Sequence, residues 1–269
     1  MVQITLSAEL KSVVDDIAEV SDYLWEKDWA ARNAGNISVN ITDLMPTMSQ
    51  KPPQFPRVAM KNIPAELAGQ YFMVTTTGSR CRELAREPQN NLLLVFIADS
   101  GDGYHILWGG VRQESRPTAE FISHLKIHEL LCRKKAPQKA IIHSHPPELI
   151  ALTHMEDYGR ESFQRFLWST HVATKFFPEG VGMAPYQAGG SEELADVTVR
   201  LFERYKAVLW EKHGCTTVGT DTADAFDLID MLNNAARVFL LCKSAGFEPK
   251  DLYPEQLTEL KQARTKKTP

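Results

Sequence analysis

The N-terminal part of the chain combines a helical pattern with a strand pattern. Apolar residues recur at three- and four-residue spacing over residues 10–24, which places them on one face of an α-helix. Ser7 can cap this helix, and the pattern runs to about Trp29. A polar turn that contains glycine follows at residues 32–36. Residues 37–41 then alternate apolar and polar side chains, which predicts a half-buried strand.

The rest of the chain alternates between strand and helix patterns. Strands are predicted at residues 71–77, 92–98, 104–108, 140–145 and 207–210, and helices at residues 118–133, 148–155, 191–205 and 222–246. Residues 99–103 form a turn sequence suited to a hairpin, so antiparallel pairing is expected there. Residues 45–64 contain five prolines and predict an irregular loop. These elements favour a layered α/β fold with a mixed or antiparallel sheet, as a single domain over residues 1–269.

Composition and charge exclude several classes of protein. With 43% apolar and 24% charged residues, the chain is neither disordered nor collagen-like nor a coiled coil. The net charge of -4 gives no basic field for a nucleic-acid backbone. We find no apolar run of about 18 to 20 residues, no secretory signal and no paired cysteines, so we expect no membrane partner and a cytoplasmic location. Neither of the common glycine-rich nucleotide-binding motifs occurs.

Three histidines form the most informative pattern. His143 and His145 lie two residues apart near the end of a predicted strand, so their side chains project from the same face. His213 follows another predicted buried strand. A close pair with one distant ligand is the pattern of a catalytic metal site, which leaves a position open for substrate. Nitrogen ligands of this kind suit Zn, Fe, Cu or Ni.

Other interpretations of these histidines stay open at this point. The three could be unrelated core residues satisfied by hydrogen bonds. His124 and His128, four residues apart on a predicted helix, are a rival pair, although they lack the glutamate of the H-E-x-x-H motif. The spacing after His145 fits neither a cupin nor a metallo-β-lactamase.

Two turns and one acid complete the candidate chemistry. The segments at residues 33–36 and 75–79 sit at strand boundaries and combine polar side chains with a glycine, as in turns that present N–H groups to an anion. They suit a small phosphate monoester better than a nucleotide. Glu120 stands at the start of a predicted helix, where it is either an acid that favours the positive helix end or a general base beside the metal.

Five motifs occur in the order found in the class II aldolase family. They are residues 32–38, Thr77-Gly78, residues 117–120, residues 143–145 and residues 210–214. Within the family, residues 103–109, 149–153 and 177–182 are most similar to members that act on L-rhamnulose 1-phosphate. The resemblance covers nearly the whole chain. It implies a three-layer α/β/α domain with a mainly antiparallel central sheet, one Zn²⁺ per subunit and a homotetramer.

The resemblance also implies a reaction and roles for individual residues. The reaction is reversible cleavage of L-rhamnulose 1-phosphate to dihydroxyacetone phosphate and L-lactaldehyde through a zinc-stabilised enediolate, in L-rhamnose catabolism. The implied metal ligands are His143, His145 and His213, and Glu120 is the implied catalytic acid and base. The residues implied to bind phosphate or dihydroxyacetone are Asn33, Gly35, Asn36, Thr77, Gly78 and Thr118.

Two departures from the family pattern affect the expected site. Ala119 stands where relatives offer a serine hydroxyl to the phosphate, so that hydrogen bond is missing or comes from Ser79 or a water molecule. Residues 168–174 hold no glutamate where the family places an acid that reaches a neighbouring subunit's aldehyde site, and His171 is the candidate replacement.

Related functions are alternatives to this assignment. An aldolase for L-fuculose 1-phosphate or a pentulose-phosphate 4-epimerase would use similar ligands. A non-catalytic binding module like the adducin head would share the fold without needing the histidines.

Overall fold

The computed structural model of the protein describes residues 4–45, 55–111, 114–155, 160–168, 170–253, 255–256 and 258–260. The strands, in chain order, are β1 (Asn36–Asn40), β2 (Arg57–Ala59), β3 (Tyr71–Thr75), β4 (Leu92–Ile97), β5 (Gly103–Gly109), β6 (Ala140–Ser144), β7 (Gly182–Ala184), β8 (Ala207–Trp210) and β9 (Gly214–Gly219). The helices are α1 (Ala8–Glu26), α2 (Cys81–Leu84), α3 (Pro88–Asn91), α4 (Phe121–Arg133), α5 (Pro147–Leu152), α6 (Arg160–Trp168), α7 (His171–Phe176), α8 (Glu192–Phe202) and α9 (Thr222–Ser244). Short 3-10 turns lie at Thr42–Leu44 and Ala65–Leu67.

The strands form one sheet in the order β2-β5-β4-β3-β1-β6-β9-β8-β7. Among the described residues, every pair of neighbouring strands is antiparallel except β7 with β8, which is parallel. The hairpin predicted between β4 and β5 is present, with a register shift after Leu94. The mainly antiparallel sheet is therefore confirmed.

Helices cover both faces of this sheet. Strand β4 shows the arrangement best, because it is buried at all six positions. Its Leu92, Leu94 and Phe96 join a core cluster that includes α1, α5 and α9, whereas Leu93, Val95 and Ile97 join a cluster that includes α4. A third cluster packs α4 and α8 on the sheet around Ile141. A continuous apolar strand is typical of a sheet covered on both sides, and the three-layer α/β/α architecture is confirmed.

The ends of several helices carry the predicted signals. The side chains of Ser7 and Ser191 accept hydrogen bonds from Leu10 N and Leu194 N at the starts of α1 and α8. Helix α9 ends just before Gly246, which has φ +85. None of the helices within the described ranges has the length and apolar character of a membrane span.

Some details differ from the sequence-based expectations. Helix α1 ends at Glu26, three residues early, and β2 forms inside the predicted loop as a short outer strand. Strands β7 and β9 were not predicted. Thr118 was the predicted cap of α4, but the residue at the N-cap position is Glu120. The backbone carbonyl of Thr118 accepts a hydrogen bond from Phe121 N just before the helix.

Strand β1 is more buried than its alternating sequence predicts. Ile37 and Val39 face the cluster with α1 and α9, so Asn36 and Ser38 face the α4 layer. Both polar residues are buried, with 7% and 0% of their surface exposed. The half-buried prediction is wrong because α4 supplies polar side chains that pair with them, as described below.

Candidate metal centre

Neighbouring strands bring the three predicted ligands together. His143 lies in β6, and His145 follows the end of that strand, where its backbone N–H bonds Trp29 O at 2.9 Å. Strand β6 pairs with β9, and β9 pairs with β8. The tight turn from β8 to β9 contains His213, whose N–H bonds Trp210 O at 3.0 Å. The distant histidine therefore reaches the pair because the two strands are adjacent in the sheet.

The three imidazoles form a nearly regular triangle. Ring centroids are 4.9, 4.9 and 5.0 Å apart, with the rings inclined at 65°, 72° and 77° to one another. Each ring offers one nitrogen, and these three atoms lie within 4.8 Å of each other. His143 Nε2 and His145 Nε2 are 3.0 Å apart, close to the roughly 3.3 Å separation expected between nitrogens on one tetrahedral zinc. The donor set fits a divalent metal ion.

The hydrogen bonds of His143 prepare its Nε2 for a metal. Its Nδ1 lies 3.1 Å from the carbonyl oxygen of Cys215 and 3.1 Å from Thr216 Oγ1. Because a carbonyl only accepts, Nδ1 carries the proton and Nε2 keeps its lone pair. The ring also stacks on Trp210, with centroids 4.2 Å apart. Both contacts fix the ring's orientation.

Gly214 lies where the backbone comes closest to the ligands. A Cβ at this position would be 2.4 Å from the Ser144 carbonyl oxygen, 2.8 Å from His143 Cε1 and 3.1 Å from His145 Cδ2. Any side chain would therefore push apart β6, β9 and two of the candidate ligands.

Glu120 places a carboxylate beside the triangle. Its Oε2 lies 3.6 Å from His143 Nε2 and its Oε1 lies 3.4 Å from His213 Nε2. Asn36 Nδ2 donates a hydrogen bond to Oε2 at 2.7 Å. Burial raises the pKa of the Glu120 carboxyl, and the bond from Asn36 partly opposes that rise. A raised pKa suits a group that takes and returns a proton near neutrality.

Burial keeps the candidate ligands neutral. It lowers the pKa of His143 well below its ordinary value, with the neighbouring His145 and His213 adding to the effect. Burial, with help from His213, lowers the pKa of His145 to about 4, and burial also lowers that of His213. Neutral imidazole is the form that binds metal.

A pocket of about 540 Å³ opens over this centre. That volume is typical of a small-molecule site. Its lining includes Glu120, His145 and His213. The residues predicted to bind phosphate or dihydroxyacetone all line the same pocket: Asn33, Gly35, Asn36, Thr77, Gly78 and Thr118. The structure thus brings together residues that are far apart in sequence.

Local backbone geometry shapes the predicted phosphate end. Gly35 has φ +81, and a Cβ there would lie 3.1 Å from the His143 carbonyl oxygen, so the turn needs glycine. Thr118 Oγ1 accepts from Glu120 N at 3.3 Å, which leaves its hydroxyl hydrogen for a ligand. Thr77 Oγ1 donates to Pro117 O at 2.6 Å and ties the two loops together.

Several lining residues were missed by sequence reasoning. Arg32 and Lys212 add two cations, and Tyr186, Gln187 and Gly189 supply another wall. Arg32 and Lys212 stand in motifs that the sequence analysis used only for their neighbours. The loop with Tyr186 and Gln187 carries no motif, and only its fold position brings it to the pocket.

Three other predictions have different outcomes. Ser79, the candidate substitute for the hydroxyl missing at Ala119, is 7% exposed and is not among the described residues that line the pocket, whereas Ala119 is. His171 begins α7, but its side chain lies outside the described part of the structure. His124 and His128 belong to no group of three or more candidate metal ligands among the described residues, and both rings instead bond Ser38 Oγ.

Fold and site together define a metal-centre protein of the α/β/α class, in which three imidazoles converge beside one carboxylate and two of them, with the carboxylate, line an open pocket. The model of the Class II Aldolase and Adducin N-terminal domain family matches residues 15–240. The chain belongs to this family.

Named relatives and solved structures agree with this assignment. A rhamnulose-1-phosphate aldolase from Bacteroides thetaiotaomicron is 39% identical over 254 residues, with 93% of each chain covered. One from Pectobacterium atrosepticum is 31% identical and covers 92% of this chain and 91% of the relative. The crystal structure of a sugar-phosphate aldolase from Thermotoga maritima is 31% identical, with a TM-score of 0.73, over 90% of this chain and 99% of the other.

Proposed function

We propose that this protein is an aldehyde-lyase that reversibly cleaves L-rhamnulose 1-phosphate to dihydroxyacetone phosphate and L-lactaldehyde, in L-rhamnose catabolism. The observation that carries the proposal is the position of Glu120, with its carboxylate oxygens 3.4 and 3.6 Å from two of three convergent imidazoles. The two relatives described above, both named rhamnulose-1-phosphate aldolase, support the choice of substrate.

His143, His145 and His213 would hold one Zn²⁺ per subunit. Three nitrogen ligands with an open side towards a pocket are typical of catalytic zinc. A zinc ion held there supplies a Lewis acid that polarises oxygen atoms and stabilises negative charge. The three ligands are neutral, so they leave the charge of the ion uncompensated.

Glu120 moves the proton. When the C3–C4 bond breaks, the C4 hydroxyl loses its proton and becomes the aldehyde oxygen of L-lactaldehyde, and the electron pair of the bond stays on the other fragment as an enediolate. Carbon C3 must then gain a proton to become the hydroxymethyl carbon of dihydroxyacetone phosphate. Glu120 donates this proton in cleavage and removes it in condensation. Its bond from Asn36 holds Oε2, while burial keeps the carboxyl away from bulk water. A positioned acid or base of this kind contributes about 10²- to 10⁴-fold in rate.

The loops that line the pocket beside the metal centre bind the phosphate. Amide, hydroxyl and glycine N–H donors come from residues 33–36, 77–78 and 118. Arg32 and Lys212 add positive charge to the same pocket, which offsets the charge of a phosphate monoester. Ala119 contributes no hydroxyl to this set.

Product identification tests the proposal. The zinc-loaded protein is incubated with dihydroxyacetone phosphate and L-lactaldehyde, and the stereochemistry of the sugar phosphate is determined. We expect L-rhamnulose 1-phosphate. Formation of L-fuculose 1-phosphate, or epimerisation of a pentulose phosphate, would contradict the assigned substrate.

Two further measurements test the chemistry. Prolonged chelation is expected to abolish cleavage, and zinc is expected to restore it. Borohydride added with substrate is expected to trap no covalent adduct, since no lysine Schiff base takes part. A protein that purifies without bound metal, and that shows no lyase activity even after zinc is added, would instead support a binding module.

The remaining assignments are part of the same proposal. We propose one domain over the chain, a homotetramer, and a cytoplasmic location that agrees with the free thiols of Cys81, Cys132, Cys215 and Cys242. His171 is proposed to act at the aldehyde end of the site. Light scattering tests the tetramer, and His171→Ala should raise KM for L-lactaldehyde more than KM for dihydroxyacetone phosphate.

A further inference from the structure

A buried polar chain connects the catalytic carboxylate to the interior of the α4 layer. Asn36 Oδ1 lies 2.5 Å from His124 Nε2, and His124 Nδ1 lies 2.6 Å from Ser38 Oγ. Ser38 Oγ in turn lies 2.9 Å from His128 Nε2. With the bond from Asn36 to Glu120, four hydrogen bonds join five side chains.

Periodicity places these five side chains opposite one another. Asn36 and Ser38 are two residues apart on β1 and share one face of the strand. Glu120, the N-cap residue of α4, is followed at four-residue spacing by His124 and His128, so the three lie on one side of the helix. The strand and helix therefore meet along a polar seam inside an otherwise apolar layer.

The chemistry of the groups fixes the direction of every bond. While Glu120 is ionised, its carboxylate only accepts, so Asn36 must turn its NH₂ group to Glu120 and its carbonyl to His124. His124 Nε2 must then carry the proton, and Nδ1 accepts from the Ser38 hydroxyl. The Ser38 oxygen accepts from His128 Nε2–H. In the reverse direction, the Asn36 carbonyl would face the carboxylate and repel it.

An apolar seam would be cheaper for folding. Ser38, His124 and His128 are 0%, 1% and 1% exposed, and replacing a buried hydrogen-bonded set with apolar side chains of similar shape can be neutral or stabilising for folding. The His128 end of this hydrogen-bonded network is held by packing, since the centroid of the His128 ring lies 4.8 Å from that of the Phe72 ring. What the polar groups add is a single allowed orientation for Asn36.

We propose that Ser38, His124 and His128 are positioning residues that hold the Asn36 amide with its N–H towards Glu120, and so fix the carboxylate for proton transfer. The inference rests on the proposed role of Glu120 as acid and base. It gives the rival histidine pair a role other than metal binding.

The tautomers of the two histidines test the chain in the intact protein. Long-range proton–nitrogen NMR of histidine-labelled wild-type protein is expected to find both His124 and His128 protonated on Nε2 and unprotonated on Nδ1. A proton on Nδ1 of His124 would overturn the proposal, whatever the activity of the protein.

Variants at His124 separate positioning from mere core packing. His124→Leu removes the donor to Asn36, and we expect kcat for cleavage and the rate of solvent proton exchange into dihydroxyacetone phosphate both to fall by about 10- to 100-fold. His124→Gln keeps an amide N–H near the position of Nε2, so it should recover most of both rates. Zinc content should stay the same in both variants.

Ser123→Ala is the matched control. Ser123 is the neighbouring residue on α4, is equally buried, and has a hydroxyl without a hydrogen-bond partner within the described structure. It should keep wild-type kcat and exchange. The proposal is wrong if His124→Leu lowers only the melting temperature, or if Leu and Gln reduce kcat equally.

A Glu120→Gln variant keeps the two proposals apart. If it exchanges protons at the wild-type rate, the assigned role of Glu120 fails. The tautomers of His124 and His128 would still decide whether the hydrogen-bonded chain exists.

Discussion

Replacing Gly214 with alanine tests whether the metal centre depends on the close approach of β6 and β9. The new Cβ would lie 2.4 Å from the Ser144 carbonyl oxygen, whereas real Cβ contacts are essentially never below 3.0 Å. The backbone must therefore open by at least 0.6 Å, the difference between these two distances. His143 Cε1 and His145 Cδ2, at 2.8 and 3.1 Å, must also move.

The displacement exceeds what a metal site tolerates. Metal–ligand distances hold to within about 0.2 Å, so we expect Gly214→Ala to weaken zinc binding by about 10- to 100-fold. At 1.36 kcal/mol for each factor of ten, this is about 1.4 to 2.7 kcal/mol. Overpacking should also cost the metal-free protein about 1 to 3 kcal/mol in stability.

Two assays measure these effects separately. Competition with a chromophoric chelator gives the zinc affinity, and urea unfolding in the presence of EDTA gives the stability of the metal-free protein. Gly182→Ala is the matched control, because the three atoms nearest its Cβ would belong to the side chains of Leu201, Tyr205 and Val208, at 3.0 to 3.2 Å. It should lower stability without changing zinc affinity. Wild-type zinc affinity in Gly214→Ala would refute the reasoning.

Three further predictions concern acid stability, the phosphate end and the packing behind His143. Burial lowers the pKa of His124 to about 3 and that of His145 to about 4. These groups stay neutral in the folded state but take up protons in the unfolded state below about pH 6.5, so the metal-free protein should lose stability as pH falls from 6.5 towards 4. Urea unfolding at several pH values should therefore show a free energy of unfolding that rises with pH. Ala119→Ser adds a hydroxyl at the pocket. Because one added hydrogen bond contributes about 0.5 to 1.5 kcal/mol, steady-state kinetics should show a KM for dihydroxyacetone phosphate about 2- to 10-fold lower, with unchanged kcat. An unchanged KM would place the phosphate elsewhere. Thr198→Val removes the acceptor of the buried Trp210 Nε1–H bond, which is 2.8 Å long, and thermal and urea unfolding should show a loss of about 1 to 3 kcal/mol.

The sequence predicts those features that depend on local spacing. The two-residue step from His143 to His145 brings both rings together at the end of β6, and the apolar run of β4 predicts a buried strand, as observed. The approach of His213 to this pair was expected only from the pattern of a metal site. It depends on β9, which sequence reasoning did not predict, because the short segment Gly214–Gly219 has few apolar residues and gains its hydrogen bonds from neighbours on both sides.

The burial of Ser38 shows the limit of reasoning from alternation. A polar residue at every second position predicts a solvent-facing side, but Ser38 is fully buried and bonded to two histidines of α4. Which helix covers that face is decided by tertiary packing. For the same reason, the loop with Tyr186 and Gln187 could not be assigned to the pocket from its sequence.

The two edge strands limit the addition of further strands to the sheet. Both β2 and β7 are only three residues long, so each offers few free backbone groups to an added strand. Next to β2, the carbonyl of Leu107 in β5 already accepts a bond from Ile4 N at 2.9 Å. Copies of this chain are therefore expected to associate through side-chain surfaces rather than by joining their sheets, which also disfavours edge-to-edge aggregation.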